Sequence, residues 1–246
     1  MTVRTKIAGN TGVTRYLQLY TMLSQSLADG RIVAGDALPS EPELVREYKV
    51  SRTTVRRALA RLERENRIVR RRGSGTYARN TEPRNTLRFD QSTLLADVKF
   101  LSKNTKGKLL DYERVAPPEA VRQLSADFGS TVLRIRCLRE FDREPLMLAV
   151  GYVPDRLTTG LSKRSIGQKA LVTCLHELGA RPVSSEQVIN AVGADSFLAR
   201  HLKVDVSSPL LYWRHIIRDA QDRLVACEEV YCRPGRVEYR MRVQAR

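Results

Sequence analysis

This chain of 246 residues offers little material for metal or redox chemistry, with only four cysteines and three histidines. Cys137, Cys174, Cys227 and Cys232 form no C-x-x-C pair, and no histidine stands near Cys227 or Cys232. These spacings argue against a structural zinc site and favour reduced, packed thiols. No cofactor is expected. No apolar run approaches the ~20 residues of a membrane-spanning helix, so no membrane partner is expected. The first ten residues, Met1 to Asn10, lack the apolar stretch of a secretory signal, and the expected location is cytoplasmic. There is also no Ser/His/Asp set and no glycine-rich phosphate loop behind a strand, so an enzyme is not expected.

What the chain does have is positive charge. It carries 43 Lys and Arg against 27 Asp and Glu, a formal net charge of +16. An excess of that size points to a polyanionic partner. With 42% apolar and 28% charged residues the chain suits a soluble globular protein. Its length fits one large domain or two ordinary ones at roughly 100–200 residues each. Residues 80–88, a polar stretch with Pro83, read as a linker between domains 1–79 and 89–246. Residues 1–80 contain 16 Lys/Arg and 7 Asp/Glu, and the 12 Lys/Arg against 3 Asp/Glu of residues 46–79 account for the whole of that excess.

Apolar residues at Tyr16, Leu19, Tyr20, Leu23 and Leu27 predict a helix from about Thr14 to Asp29, stopped by Gly30. Ile32 and Val33 suggest a short extended segment. Ser40-Glu41-Pro42-Glu43 reads as a capping box opening a second helix, buried through Leu44, Val45 and Tyr48. Ser51 caps a third helix, with Val50 and Val55 as its hydrophobic staple and Val55, Leu59 and Leu62 as its core stripe. The opposite face reads Arg52, Thr53, Arg56, Arg57, Arg61 and Arg64. Ile68 to Tyr77 then predicts a hairpin around Gly73-Ser74-Gly75, with arginines at 70, 71 and 72. An arginine-rich face is usually just solvated, and a Gly-Ser-Gly hairpin is usually just a turn. Their succession, however, is that of a winged helix-turn-helix, its third helix entering the major groove.

Leu38-Pro-Ser-Glu-Pro-Glu-Leu44, Val50-Ser-Arg-Thr-Thr-Val-Arg-Arg-Ala-Leu59 and Arg72-Gly-Ser-Gly-Thr76 closely resemble the DNA-binding domain of the GntR family of bacterial transcription regulators. The resemblance implies that Arg52, Thr53, Thr54, Arg56 and Gly73 touch DNA, and Ser40, Arg72 and Ser74 are expected there as well. The family usually has an arginine where this chain has Pro42, so one anchor is missing.

Residues 89–246 read as mixed α and β, which makes the whole an α+β protein. Strands are predicted at Leu109–Val115, Val132–Phe141, Leu146–Val153, Ser184–Val192, Leu210–Arg218 and Leu224–Cys232. Helices are predicted near Pro118–Phe128, Lys169–Leu178 and Ala194–Leu202, packed on an antiparallel sheet. The order resembles the UTRA effector-binding domain of the HutC subfamily, a fold similar to chorismate lyase. That resemblance implies a small-molecule effector of unknown identity, often anionic. Where the family has polar pocket residues, this chain has Cys137, Arg139, Ala149, Ala170, Val172 and Ala226, leaving Arg139 as the one effector-binding residue expected. With five of six polar positions small or apolar, a phosphate would lose most of its charge-assisted hydrogen bonds. The expected effector is therefore less polar than a phosphosugar, or the pocket is degenerate.

The expected function is a sequence-specific, ligand-responsive transcription regulator, a homodimer on a near-palindromic double-stranded DNA operator, with repression implied by the resemblance. Two alternatives are a lyase-like enzyme on the same fold and a DNA-binding protein that needs no ligand.

Overall fold

Residue 7 and residues 13–79, 86–90 and 94–240 are described in the computed structural model, and contacts divide the chain between Arg84 and Asn85. The first unit consists of α1 (Arg15–Ala28), α2 (Glu41–Tyr48), α3 (Arg52–Arg64) and a hairpin of β1 (Ile68–Arg71) and β2 (Gly75–Ala78). Leu19, Leu23 and Leu27 of α1, Leu44 of α2, and Val55, Leu59 and Leu62 of α3 form one buried cluster with Ile68 and Ala78. Every one of these side chains sits on the face that helical or strand periodicity assigns to it. Gly30 follows the end of α1 at φ +69, a left-handed backbone that favours glycine. Both halves of the Ser40–Glu43 capping box form, and the Ser51 hydroxyl accepts the Thr54 N–H at 3.2 Å. The expected extended segment at Ile32 and Val33 does not form. Val33 is 54% exposed, and the pairing with the hairpin is a single bridge from Ala37 to Tyr77.

The second unit is a six-stranded antiparallel sheet between helices. Its strands are β4 (Lys106–Val115), β5 (Val132–Phe141), β6 (Glu144–Pro154), β7 (Pro182–Gly193), β8 (Pro209–Asp219) and β9 (Leu224–Cys232). The spatial order is β4-β5-β6-β9-β8-β7. Strand alternation divides β9 cleanly. Ala226, Glu228, Val230 and Cys232 look one way, and Cys227, Glu229 and Tyr231 the other. On the first face, Leu133, Ile135 and Val153 pack with Ile166 of α6 (Lys163–Gln168) and Leu171, Val172 and Leu175 of α7 (Leu171–Glu177). On the second, Val132, Leu148, Tyr152 and Ile216 pack with Val121 of α5 (Glu119–Arg122) and Leu198 and Leu202 of α8 (Ser196–Leu202).

Several elements depart from the sequence-based expectation. Leu87 and Arg88, read as the end of the linker, belong to β3 (Leu87–Asp90), which pairs in parallel with β10 (Val237–Arg240). Leu87 and Phe89 are buried against Trp213 and Val230. The pairing partner lies some 150 positions away, so no local signal announces β3. An unexpected helix, α4 (Leu94–Asn104), follows it, and α6 was likewise unexpected. The helix read across Pro118–Phe128 is α5 plus a single 3₁₀ turn, Ala126–Phe128. Ser125 interrupts it, its hydroxyl accepting the Asp127 N–H at 3.1 Å.

Candidate nucleic-acid interface and effector pocket

Two of the residues expected at DNA open α3. Arg52 and Thr53 are exposed in its first turn. Thr54 is half-buried, its hydroxyl 2.9 Å from that of Ser51, so it helps fix the helix start. Arg56 lies one turn further on, with a side chain 66% exposed. Its Nε donates to Glu41 Oε2 at 2.9 Å. Glu41 also stands 3.9 Å from Arg70 of β1, so one carboxylate ties the start of α2 to both α3 and the hairpin. Sequence reasoning missed Glu41, reading it only as a filler inside the capping box. Ser40, adjacent to it, is committed to Glu43 through its hydroxyl and its N–H.

The face of α3 that read as uniformly cationic is divided. Arg57 lies over the ring of Tyr16 at 4.5 Å and Arg61 over Tyr20 at 4.2 Å, and Arg61 also pairs with Glu65 at 3.1 Å. Tyr20 donates to Glu65 at 2.7 Å. These two arginines cement α1 to α3.

The hairpin divides in the same way. Arg70 turns inward to Glu63, at 3.4 Å, and Glu41. Arg71 lies over the Tyr77 ring at 5.1 Å. Arg72 is exposed at the tip, followed by Gly73 at φ +75. The Ser74 and Tyr77 hydroxyls are 2.7 Å apart, bracing the loop. The exposed cations here thus include Arg52, Arg56 and Arg72, with Gly73 open to close approach by a backbone or phosphate.

In the second unit, Arg139 is 3% exposed, at the point where the pairing of β5 with β6 shifts register. Its guanidinium donates to Thr105 Oγ1 at 3.4 Å and to the Lys169 carbonyl. Among the described residues no carboxylate lies within ion-pair distance of it. It lines a cavity of about 30 Å³ together with Cys137, Ala149, Gly151, Ala170 and Glu228. A second cavity of about 60 Å³ lies beside it, lined by Asp97, Val172, Gln187, Trp213, His215 and, again, Glu228. Of the six positions matched to family pocket residues, five line one cavity or the other; Ala226 is buried in the core.

Sequence reasoning missed Glu228 and His215. They are cross-strand neighbours in one row, Ile135–Gly151–Glu228–His215–Gln187. No hydrogen bond or ion pair reaches the Glu228 carboxylate among the described residues. Burial pushes its pKa up to about 7, against the pull of Arg139. Burial pulls His215 down to about 4, leaving it neutral at pH 7, and its Nδ1 has no partner among the described residues. The next residue, Glu229, faces the opposite way and is satisfied by Tyr212 at 2.8 Å and Arg214 at 3.1 Å. The departure from a phosphate pocket is therefore only partly a loss of polarity, because a carboxylate has come in from a position two residues along β9.

Among the described residues no helix is long and apolar enough to cross a membrane, and no His, Cys, Asp and Glu cluster of three is placed to hold a metal.

Comparison with known proteins agrees with this architecture. The UTRA domain family matches residues 101–238, and the family described as bacterial regulatory proteins, gntR family, matches residues 15–78. The chain is 26% identical over 226 residues to the Escherichia coli (strain K12) protein named "Probable fructoselysine utilization operon transcriptional repressor", covering 90% of this chain and 91% of that one. It is equally 26% identical to the HTH-type transcriptional regulator GgaR of the same organism, over 89% of this chain and 86% of that protein. Among solved structures, PhnF from Mycobacterium smegmatis matches 94% of this chain and 99% of its own, with a TM-score of 0.57 at 20% identity, a likeness of fold. The chain belongs to the GntR family of bacterial transcription regulators that carry a UTRA domain, and it is a DNA-binding regulator.

Proposed function

We propose that the chain is a ligand-responsive repressor that works as a cytoplasmic homodimer, reading a near-palindromic operator with α3 and the hairpin tip of each protomer. The observation that carries this reading is the exposure of Arg52 and Arg56 on a capped α3 and of Arg72 at the hairpin tip beside Gly73, with Glu41 bridging α2 to α3 and the hairpin. In this reading Arg52 and Arg56 pair with guanine edges in the major groove, and Thr53 meets a phosphate or a thymine methyl. In the same reading Ser40, Thr54, Gly73 and Ser74 add backbone or hydroxyl contacts to phosphate. Arg72 adds sequence-independent affinity. Repression is supported by the printed names of the relatives, and dimerisation by the two-fold logic of paired recognition helices on one duplex face. The second unit is the effector domain, and catalysis has no part in it.

The test is gel-shift titration of the full chain against genomic fragments and bulk competitor DNA. Selective retention of a few fragments supports the reading; equal affinity for all DNA contradicts it.

A further inference from the structure

The interior of the second unit holds two opposite charges that do not satisfy each other. Arg139 and Glu228 line the same cavity, yet no ion pair joins them. Arg139 has only a hydroxyl and a peptide carbonyl as partners, and Glu228 has no protein donor among the described residues. Arg139 is buried and Glu228 half-buried; a charge with little water around it and no opposite partner is costly, and the cost is removed by a group of opposite sign brought to it. Glu228 also faces the second cavity, whose wall carries Asp97 of α4 and the indole of Trp213, the latter edge-on to Phe89 at 6.1 Å. Acidic groups beside an aromatic wall suit a protonated amine. At the other end, a guanidinium next to the small side chains of Ala149, Gly151 and Ala170 suits a carboxylate or phosphate.

We propose that the effector is a zwitterion, its protonated amine seated against Glu228 beside Trp213 and its anionic group against Arg139. This rests on the second unit being the effector domain and goes beyond it by naming the ligand class and the residue, Glu228, that selects the amine. An anion without an amine would lie next to the Glu228 carboxylate and be repelled. An amine without an anion would leave Arg139 uncompensated. His215, neutral, adds no competing positive charge. The two cavities together hold only a few waters. Seating such a molecule therefore requires Leu101 and Met147, which line both, to move and merge them.

The experiment is calorimetric titration of the full chain with two sets of charge-matched probes: 6-aminohexanoate, hexanoate and hexylamine, and glucosamine 6-phosphate, glucose 6-phosphate and glucosamine. In at least one set the zwitterion is expected to bind about tenfold or more tightly than either single-charge relative, a difference of roughly 1.4 kcal/mol. Glu228→Gln should abolish that preference over the anion, and Arg139→Gln the preference over the amine, while Arg139→Lys restores part of the latter. Circular dichroism melts confirm that each variant is folded. Equal binding of zwitterion and anion, a preference that survives Glu228→Gln, or no response in either set overturns the proposal. A parallel thermal-shift screen of neutral and anionic metabolites separates the two readings. A hit there with both zwitterions silent leaves the effector domain standing and removes only its zwitterion specificity, whereas no hit at all removes both.

Discussion

The two units use the same charged residue types in opposite ways. In the first, cations point outward. Arg52, Arg56 and Arg72 reach solvent, while Arg57 and Arg61 pack over the tyrosines of α1 and Arg70 pairs with Glu41 and Glu63, joining elements. In the second, charge is carried inside, where Arg139, Glu228 and His215 line small cavities under α4 and α7. Outward charge in water gives long-range, salt-sensitive attraction to a polyanion. Inward charge without an opposite partner is held at a cost. The first unit thus suits a large, uniformly charged partner; on the reading proposed above, the second suits a small one with charges at fixed places.

Four substitutions sharpen that contrast. The largest effect is expected from Arg52→Ala, which should weaken operator binding by about 1–3 kcal/mol, roughly five- to 150-fold, and leave random duplex nearly unaffected. Gel shifts on both duplexes measure it, and an equal loss on both would remove Arg52 from base reading.

Glu228→Gln probes the interior. The Glu228 pKa is raised to about 7 in the folded chain, so its carboxyl costs stability as pH rises from about 4.5 to 7. The His215 pKa is lowered to about 4, so its cost appears as pH falls from about 6.5 to 4. The two trends oppose each other in mildly acidic solution. Glu228→Gln should therefore be more stable than the parent at pH 7.5 by on the order of 2 kcal/mol, with the gain fading towards pH 4.5. Urea melts followed by the fluorescence of Trp213, the only tryptophan, report it. A gain independent of pH would mean that Glu228 does not titrate there.

Ser51→Ala removes the cap of α3 and should cost about 1 kcal/mol of first-unit stability, read as an earlier loss of helical circular dichroism, with Trp213 fluorescence unmoved. The smallest effect is expected from Arg72→Ala. It should weaken specific and random duplex alike and lower the slope of log affinity against log salt by about 1. A selective loss on the operator would instead make the tip a reader of sequence.

The same contrast explains what was legible in the amino-acid sequence. The first unit is assembled from neighbours, so capping boxes, a staple, 3.6-residue stripes and glycines at a turn announce it locally. Its errors lie where a partner helix decides, as with Arg57 and Arg61, whose destination depends on Tyr16 and Tyr20 far back in the chain. The strands of the second unit were visible as alternating runs, and Val132–Phe141 and Leu224–Cys232 match the observed bounds. Its pocket was not. Which of Glu228 and Glu229 faces inward depends on strand register, and a slip of one residue exchanges the two faces. Matching positions to a family pattern reached Arg139 and four other residues of the cavity walls but passed over Glu228, because it lies two residues beyond the position where a glutamate was sought. β3 and α4 escaped because their burial depends on β10 and Trp213, distant in sequence.

The most direct test of the central claim is a competition measurement. The full chain is challenged with a genomic fragment library and excess bulk DNA at near-physiological salt, with and without a cell metabolite extract, beside Arg52→Ala. Recovery of a small, reproducible set of fragments by the parent chain, lost in the variant, is the result predicted. Recovery of fragments in proportion to their length, the same for both proteins and in both conditions, would contradict it.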